Sequence, residues 1–223
     1  MVGNRYSITS MLIDKKWRHR PGGNRIPRYA VAHDTGNEGS TALQNFNYFN
    51  SRHLAASAHV FIDDQDILII IPLREKAWHV RRQVSDANDW AIGVELCYGG
   101  KISWVEAYKR YVWFFSWLCQ TYEWNPTLHI KGHFQLDPGR RKDPVNALKR
   151  NGKSFEDFLQ DVKDQLESIK REGEGVHRVN EKKHDRLYRV QIGCFKQKGN
   201  AEEAARKAIK AGFDAIIHVD ESS

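Results

Sequence analysis

Cysteine is scarce in this chain. Three thiols, Cys97, Cys119 and Cys194, are spread over 223 residues. An odd, dispersed set of that kind excludes a disulfide framework, and the expectation is three free thiols, two of them in a core. Long hydrophobic runs are missing too. No stretch of roughly 18 apolar residues, the length a spanning helix needs, occurs anywhere, so no membrane insertion is expected. Met1 to Trp17 lack the apolar segment of a secretory signal, which predicts synthesis in a cytoplasm without ordinary export. Charge of one sign does not dominate either: 35 basic residues stand against 28 acidic ones, a net charge of +7. That balance suits an anionic partner such as nucleic acid, a membrane surface or an anionic cell-wall polymer, and does not choose among them.

What is present argues for a packed protein. Apolar residues make up 40% of the chain and seven are Trp, too many for a disordered polymer. The length suits one good-sized core and a small second module. Residues 1–28 read as an irregular basic arm, broken by Pro21-Gly22-Gly23-Asn24 and Pro27 and carrying Arg18, His19, Arg20, Arg25 and Arg28. Tyr29 to Ala32 is a short buried strand that stops at His33. Ser40 or Thr41 then caps a helix to about His53, with Leu43, Phe46, Phe49 and Leu54 on its apolar face. Ser57–Phe61 and Ile67–Pro72 form a hairpin, the second strand apolar on both faces and so inside the sheet. Trp90 to Tyr98 is another buried strand, whose alternation puts Gly93, Glu95 and Cys97 on one face. Trp104–Glu123 is a long helix whose aromatic stripe is core, and Ser154–Lys170 is an amphipathic helix closing the first domain.

Arg171–Arg186 has the composition of a linker. Residues 187–223 follow with strand, helix (Ala201–Ala211) and strand, a βαβ-sized unit small for independent stability. The division expected is 1–170, a catalytic domain; 171–186, a linker; and 187–223, a terminal module.

One loop carries the chemistry. Gly132-His133-Phe134-Gln135-Leu136-Asp137-Pro138-Gly139-Arg140-Arg141-Lys142-Asp143-Pro144 offers an imidazole at His133 and a carboxylate at Asp143, with Pro138 and Gly139 folding the chain between them. His33 lies where a strand runs into the polar loop Asp34-Thr35-Gly36-Asn37, a placement that favours function. Zinc sites that do chemistry take three protein ligands and leave a fourth position to solvent, and His33, His133 and Asp143 supply such a set. Glu95, a carboxylate amid apolar neighbours, needs either an ion pair in the core or a role beside the metal, since burying an unpaired charge is costly. As a base it would take a proton from water and return it to a leaving amine. Arg141 or Lys142 would stabilise the developing oxyanion. Trp78 and His79, at a strand exit, could line a groove for a sugar or peptide. His59 reads as a sheet histidine, and His129, four residues before His133, sits among residues too β-prone for a two-histidine helical site.

Residues ~25 to ~150 resemble the type 2 N-acetylmuramoyl-L-alanine amidases, in the strand ending at His33 with Thr35-Gly36-Asn37, in Ser57-Ala58-His59, Ala77-Trp78-His79 and Ile92-Gly93-Val94-Glu95-Leu96, and in Gly132-His133 through Asp143-Pro144. The resemblance implies a mixed α/β fold, a central β-sheet flanked by helices as in peptidoglycan recognition proteins, with His33, His133 and Asp143 holding Zn2+. Some members use a tyrosine before the second motif's histidine as catalytic group. Ala58 stands there in this chain, so the role falls to Glu95. The implied reaction is cleavage of the amide between N-acetylmuramic acid and L-alanine in peptidoglycan, as in phage and prophage lysins. The wall would then be reached through a holin-type lesion or by lysis. Residues ~187 to 219 resemble half of a sporulation-related (SPOR) wall-binding repeat, in Tyr188–Phe195 and Ala211–Ala215, which implies pairing with a second chain as a homodimer. The rival reading is a recognition protein that binds muropeptide without cutting it. A nucleic-acid partner would rest on charge alone and is not expected, for want of any recognition helix or aromatic pattern.

Overall fold

The computed structural model describes residues 6–179 and 197–210. Six strands build one sheet: β1 (Ile8–Ser10), β2 (Tyr29–Asp34), β3 (Val60–Ile62), β4 (Ile67–Ile69), β5 (Ala91–Leu96) and β6 (Ile130–Gly132). Their spatial order is β1-β4-β3-β5-β2-β6. Only the β3–β4 hairpin is antiparallel; the remaining pairs run parallel. This is the mixed sheet that the resemblance implies.

Strand alternation sorts the two faces. Ala30 and Ala32 of β2, Val60 and Ile62 of β3, and Ile92, Val94 and Leu96 of β5 share one core with α3 (Trp104–Thr121) and α7 (Phe155–Val179). Tyr111, Phe114, Phe115 and Phe158 are fully buried there, so the aromatic stripe of α3 is core, as its periodicity predicts. Phe61, Leu68 and Cys97 point to the opposite face, where they pack with Ala42 at the start of α1 (Ala42–Phe49). That second face carries the site. Cys97 and Cys119 are buried free thiols.

Several sequence expectations need correction. The N-terminal arm is not irregular throughout. Residues Ile8–Ser10 add β1 to the sheet edge against β4. Arg20 and Arg25 are buried: Arg20 makes a two-pronged ion pair with Glu75, and Arg25 donates to the Ala91 carbonyl at 2.8 Å. Helix α1 stops at Phe49, short of His53. Thr41 caps it in a reciprocal box with Gln44, and Leu43 faces solvent. The hairpin strands are shorter than expected, and Ser103 precedes α3 without a side-chain cap bond.

Helix α7 continues past Lys170 to Val179, so the first stretch of the expected linker is helical. The chain divides into units of residues 1–179 and 180–223. In the second unit a helix, α8 (Lys198–Lys210), covers most of the expected Ala201–Ala211 segment. The strands expected on either side of it, Cys194, and with them the half repeat and its dimer, lie outside the described residues. Among the described residues no helix is long and apolar enough to cross a membrane. The remaining short helices are α2 (Ala87–Trp90), α4 (Pro126–His129), α5 (His133–Leu136) and α6 (Val145–Arg150).

The buried Tyr111 hydroxyl donates to the backbone carbonyl of His33 at 2.9 Å, tying α3 through the sheet to the end of β2. Tyr111→Phe should strand that carbonyl and cost about 1–3 kcal/mol. A thermal unfolding midpoint equal to that of the parent protein would show that the bond contributes nothing.

Candidate active site

The register of three neighbouring parallel strands builds the site. His33 is level with Glu95 across β2 and β5. Ala32 is level with Gly132 across β2 and β6, which brings His133, the next residue, into the same row. An imidazole, a carboxylate and a second imidazole thus line up at the carboxyl ends of adjacent strands, where open α/β sheets bind ligands. Hydrogen-bonded strands lie about 4.8 Å apart, a spacing that lets neighbouring side chains touch.

The fourth member comes from the loop after α5. Gly139 adopts a positive φ of 80°, and the chain folds back so that Asp143 meets both rings. Asp143 Oδ2 lies 2.8 Å from His33 Nδ1 and 2.9 Å from His133 Nδ1. The two imidazole centroids are 4.7 Å apart. One ligand atom from each of the three residues lies within 4.8 Å of the others, and all three side chains are buried. Two imidazoles and a carboxylate are a donor set suited to zinc, and the group could hold a metal ion.

Burial favours the neutral acid of Asp143, but hydrogen bonds from His133 and His33, and their charge, outweigh it and hold the carboxyl well below the usual range. Burial holds the His33 imidazole below its ordinary value against the pull of Asp143. Glu95 is pushed well above the normal carboxylate range, first by burial and then by the nearby charges of Asp143 and Asp34. Its Oε2 has no hydrogen-bond partner, and no ion pair holds it among the described residues. Glu95 is therefore not a core ion pair, the bland reading of its place in the strand.

Arg141 and Lys142 are both exposed on the Asp143 loop. The charge of Arg141 is felt at His33 and at Glu95. Trp78 is half-buried beside the site, and its backbone N–H donates to Ser57 Oγ at 2.9 Å. His79 does not stand free in a groove. It is buried, with Nδ1 at 3.0 Å from His33 Nε2. His59 lies just before β3 rather than within a strand, and its Nδ1 accepts from the Gly93 N–H at 3.0 Å. His129 bonds locally to Asn125 and stacks on Trp124, away from the ligand set.

Other supports were not anticipated from sequence. Asp34, on the opposite face from His33, accepts from the backbone N–H groups of Gly36 and Ala147, joining the end of β2 to α6. Burial chiefly raises its pKa to about 6. Arg81 clamps Asp137 through two bonds of 3.0 and 2.6 Å, holding the segment after His79 against the Asp143 loop. The acidic neighbour of a site histidine was a visible signal for Asp34. Nothing in the local pattern singles out Arg81.

Residues 22–146, more than half of the chain, match the N-acetylmuramoyl-L-alanine amidase family. The chain belongs to that family. It is 30% identical over 150 residues to the N-acetylmuramoyl-L-alanine amidase BlyA of Bacillus subtilis (strain 168), a match covering 60% of this chain and 40% of BlyA. A probable N-acetylmuramoyl-L-alanine amidase of Bacillus licheniformis is 42% identical over 79 residues, 30% of this chain and 22% of that protein. This amidase-family chain thus spans less than half the length of either relative. Its fold matches the catalytic domain of XlyA at a TM-score of 0.63 and 22% identity, over 70% of this chain and 99% of that domain. PlyL matches at 0.61 and 24%, over 70% of this chain and 97% of PlyL.

Ionising Glu95 opposes folding in the metal-free protein. Its folded pKa lies above the unfolded one, so its contribution is full below the unfolded value and is lost as pH rises through the folded one. Glu95→Gln, in metal-free protein, should accordingly raise the unfolding midpoint near pH 8 and leave it unchanged near pH 4. An equal midpoint at both pH values would show that this carboxylate is not under strain.

Proposed function

We propose that this chain is a zinc-dependent peptidoglycan hydrolase that cuts the amide between N-acetylmuramic acid and the L-alanine of the stem peptide. The observation that carries the reading is the convergence of one ligand atom each from His33, His133 and Asp143 within 4.8 Å of one another, with Asp143 Oδ2 at 2.8 and 2.9 Å from the two Nδ1 atoms, beside a Glu95 whose Oε2 has no partner. Family membership supplies the bond that such a site would address. The presence of a full donor set and a base weighs against a recognition protein that binds muropeptide without cutting it.

His33, His133 and Asp143 would hold the ion. Bound there, zinc supplies a Lewis acid that polarises an amide carbonyl and lowers the pKa of water toward about 7. Glu95 takes the proton of the attacking water and returns it to the departing amine of L-alanine. Arg141 stabilises the negative charge that develops on the carbonyl oxygen; its influence at His33 and Glu95 favours it over Lys142. Trp78, half-buried and next in sequence to His79, would offer an aromatic face to the sugar or peptide. The site of action is the bacterial cell wall, and the net charge of +7 assists approach to an anionic polymer.

Digestion of purified wall should release new L-alanine amino termini. Glu95→Gln should retain zinc while lowering turnover by about 10²- to 10⁴-fold. His33→Ala and Asp143→Ala should lose metal and activity together. Arg141→Ala should cost about 10²- to 10³-fold in kcat, and Lys142→Ala little. Binding of muropeptide without release of L-alanine termini would favour the recognition reading. Near-parental turnover in Glu95→Gln would remove it as base.

A further inference from the structure

His79 is held with more care than a groove-lining residue needs. Its backbone N–H and that of Val80 both donate to Asn88 Oδ1 at 2.9 Å, and Asn88 Nδ2 donates back to the Val80 carbonyl at 2.8 Å. The imidazole lies flat over the backbone of β5 at Gly93. A Cβ built there would fall 2.6 Å from His79 Cγ, so only glycine leaves the ring its place. His59, itself fixed by the Gly93 N–H and by the Glu75 carbonyl, meets the ring edge-on at 5.8 Å between centroids. Backbone clamp, floor and wall leave His79 one orientation, with Nδ1 3.0 Å from His33 Nε2.

That contact fixes the protonation of both rings once His33 gives Nδ1 to a metal. A neutral imidazole carries one ring proton. With Nδ1 as ligand, His33 must carry it on Nε2, which donates to His79 Nδ1. His79 then keeps its own proton on Nε2, an atom that, like His133 Nε2, has no hydrogen-bond partner. Metal-bound histidines commonly hand their second N–H to an acceptor that sets ring orientation and ligand basicity; here the acceptor is a second imidazole. We propose that His79 is a positioning residue for the metal, acting through His33, with Gly93 and Asn88 as the parts that hold it in line. This rests on the zinc reading of the site. His133, whose Nε2 has no partner, has no such support, so the two histidine ligands are unequal.

The test compares zinc dissociation constants, measured by competition with a chromophoric chelator, for the parent chain, His79→Phe, His79→Asn and Gly93→Ala. His79→Phe keeps a flat ring over Gly93 and removes the acceptor; it should bind zinc about 10- to 100-fold more weakly at an unchanged metal-free unfolding midpoint. His79→Asn, whose amide oxygen accepts near the old Nδ1 position, should recover most of the loss. Gly93→Ala, which displaces the ring from the far side, should reproduce the loss. Parental affinity in His79→Phe overturns the proposal while leaving the zinc reading intact. A parent chain that takes up no zinc overturns both. Should the variants fail to fold, long-range 1H–15N NMR of the zinc-loaded parent chain decides it. An unprotonated Nδ1 and protonated Nε2 on His79 support the proposal, and a protonated Nδ1 overturns it.

Discussion

The structure depends on one carboxylate shared between two imidazoles. Asp143 Oδ2 sits within hydrogen-bond distance of His33 Nδ1 and His133 Nδ1, though His33 and Asp143 are 110 residues apart in sequence. Nothing local could hold such a contact. It exists because β2 is flanked by β5 and β6 in parallel register, because Tyr111 and Asp34 fix the end of β2 from behind, and because Gly139 lets the last loop fold inward. The rest of the sheet, with the aromatic core of α3 and α7 behind it, is the rigid support that such a cluster requires.

That support carries a thermodynamic cost. Glu95 and Asp143 gather near two imidazoles, Asp34 lies on the far side of β2 close enough for its charge to act on Glu95, and two of the three carboxylates are driven toward their neutral forms. Only Asp143 is held ionised, by the histidines it bridges. Buried like charges of this kind destabilise a fold and recur where chemistry is done. A divalent cation would relieve the crowding, which couples metal uptake to stability. The same coupling explains why the site needs supports remote from its reacting atoms. The Asn88 clamp and the Arg81–Asp137 pair act on loops, and loops are the parts of a sheet protein most free to move.

Much of this was legible in the sequence because the site sits on periodic elements. Strand alternation around Glu95 and the Pro138-Gly139 turn each have a short-range physical cause, and both readings hold; the strand expected to stop at His33 instead runs through it to Asp34. The aromatic stripe of α3 was readable for the same reason. What escaped depends on pairings made across the fold. Arg20 and Arg25 look solvated because their partners, Glu75 and the Ala91 carbonyl, lie far along the chain. β1 is three residues long and gains its order from the edge of β4. His79 reads as a groove residue beside Trp78, since only the assembled sheet shows Gly93 beneath it and His33 in front of it. That α7 runs on past Lys170 shows that charged and glycine-containing composition alone does not end a helix.

The central claim is that His33, His133 and Asp143 surround one divalent ion. Anomalous diffraction from crystals of the zinc-loaded chain, recorded on either side of the zinc absorption edge, tests it most directly. The account predicts one strong edge-dependent peak enclosed by those three side chains, with Glu95 facing it. A peak elsewhere on the molecule, or none in crystals grown with zinc, would contradict it.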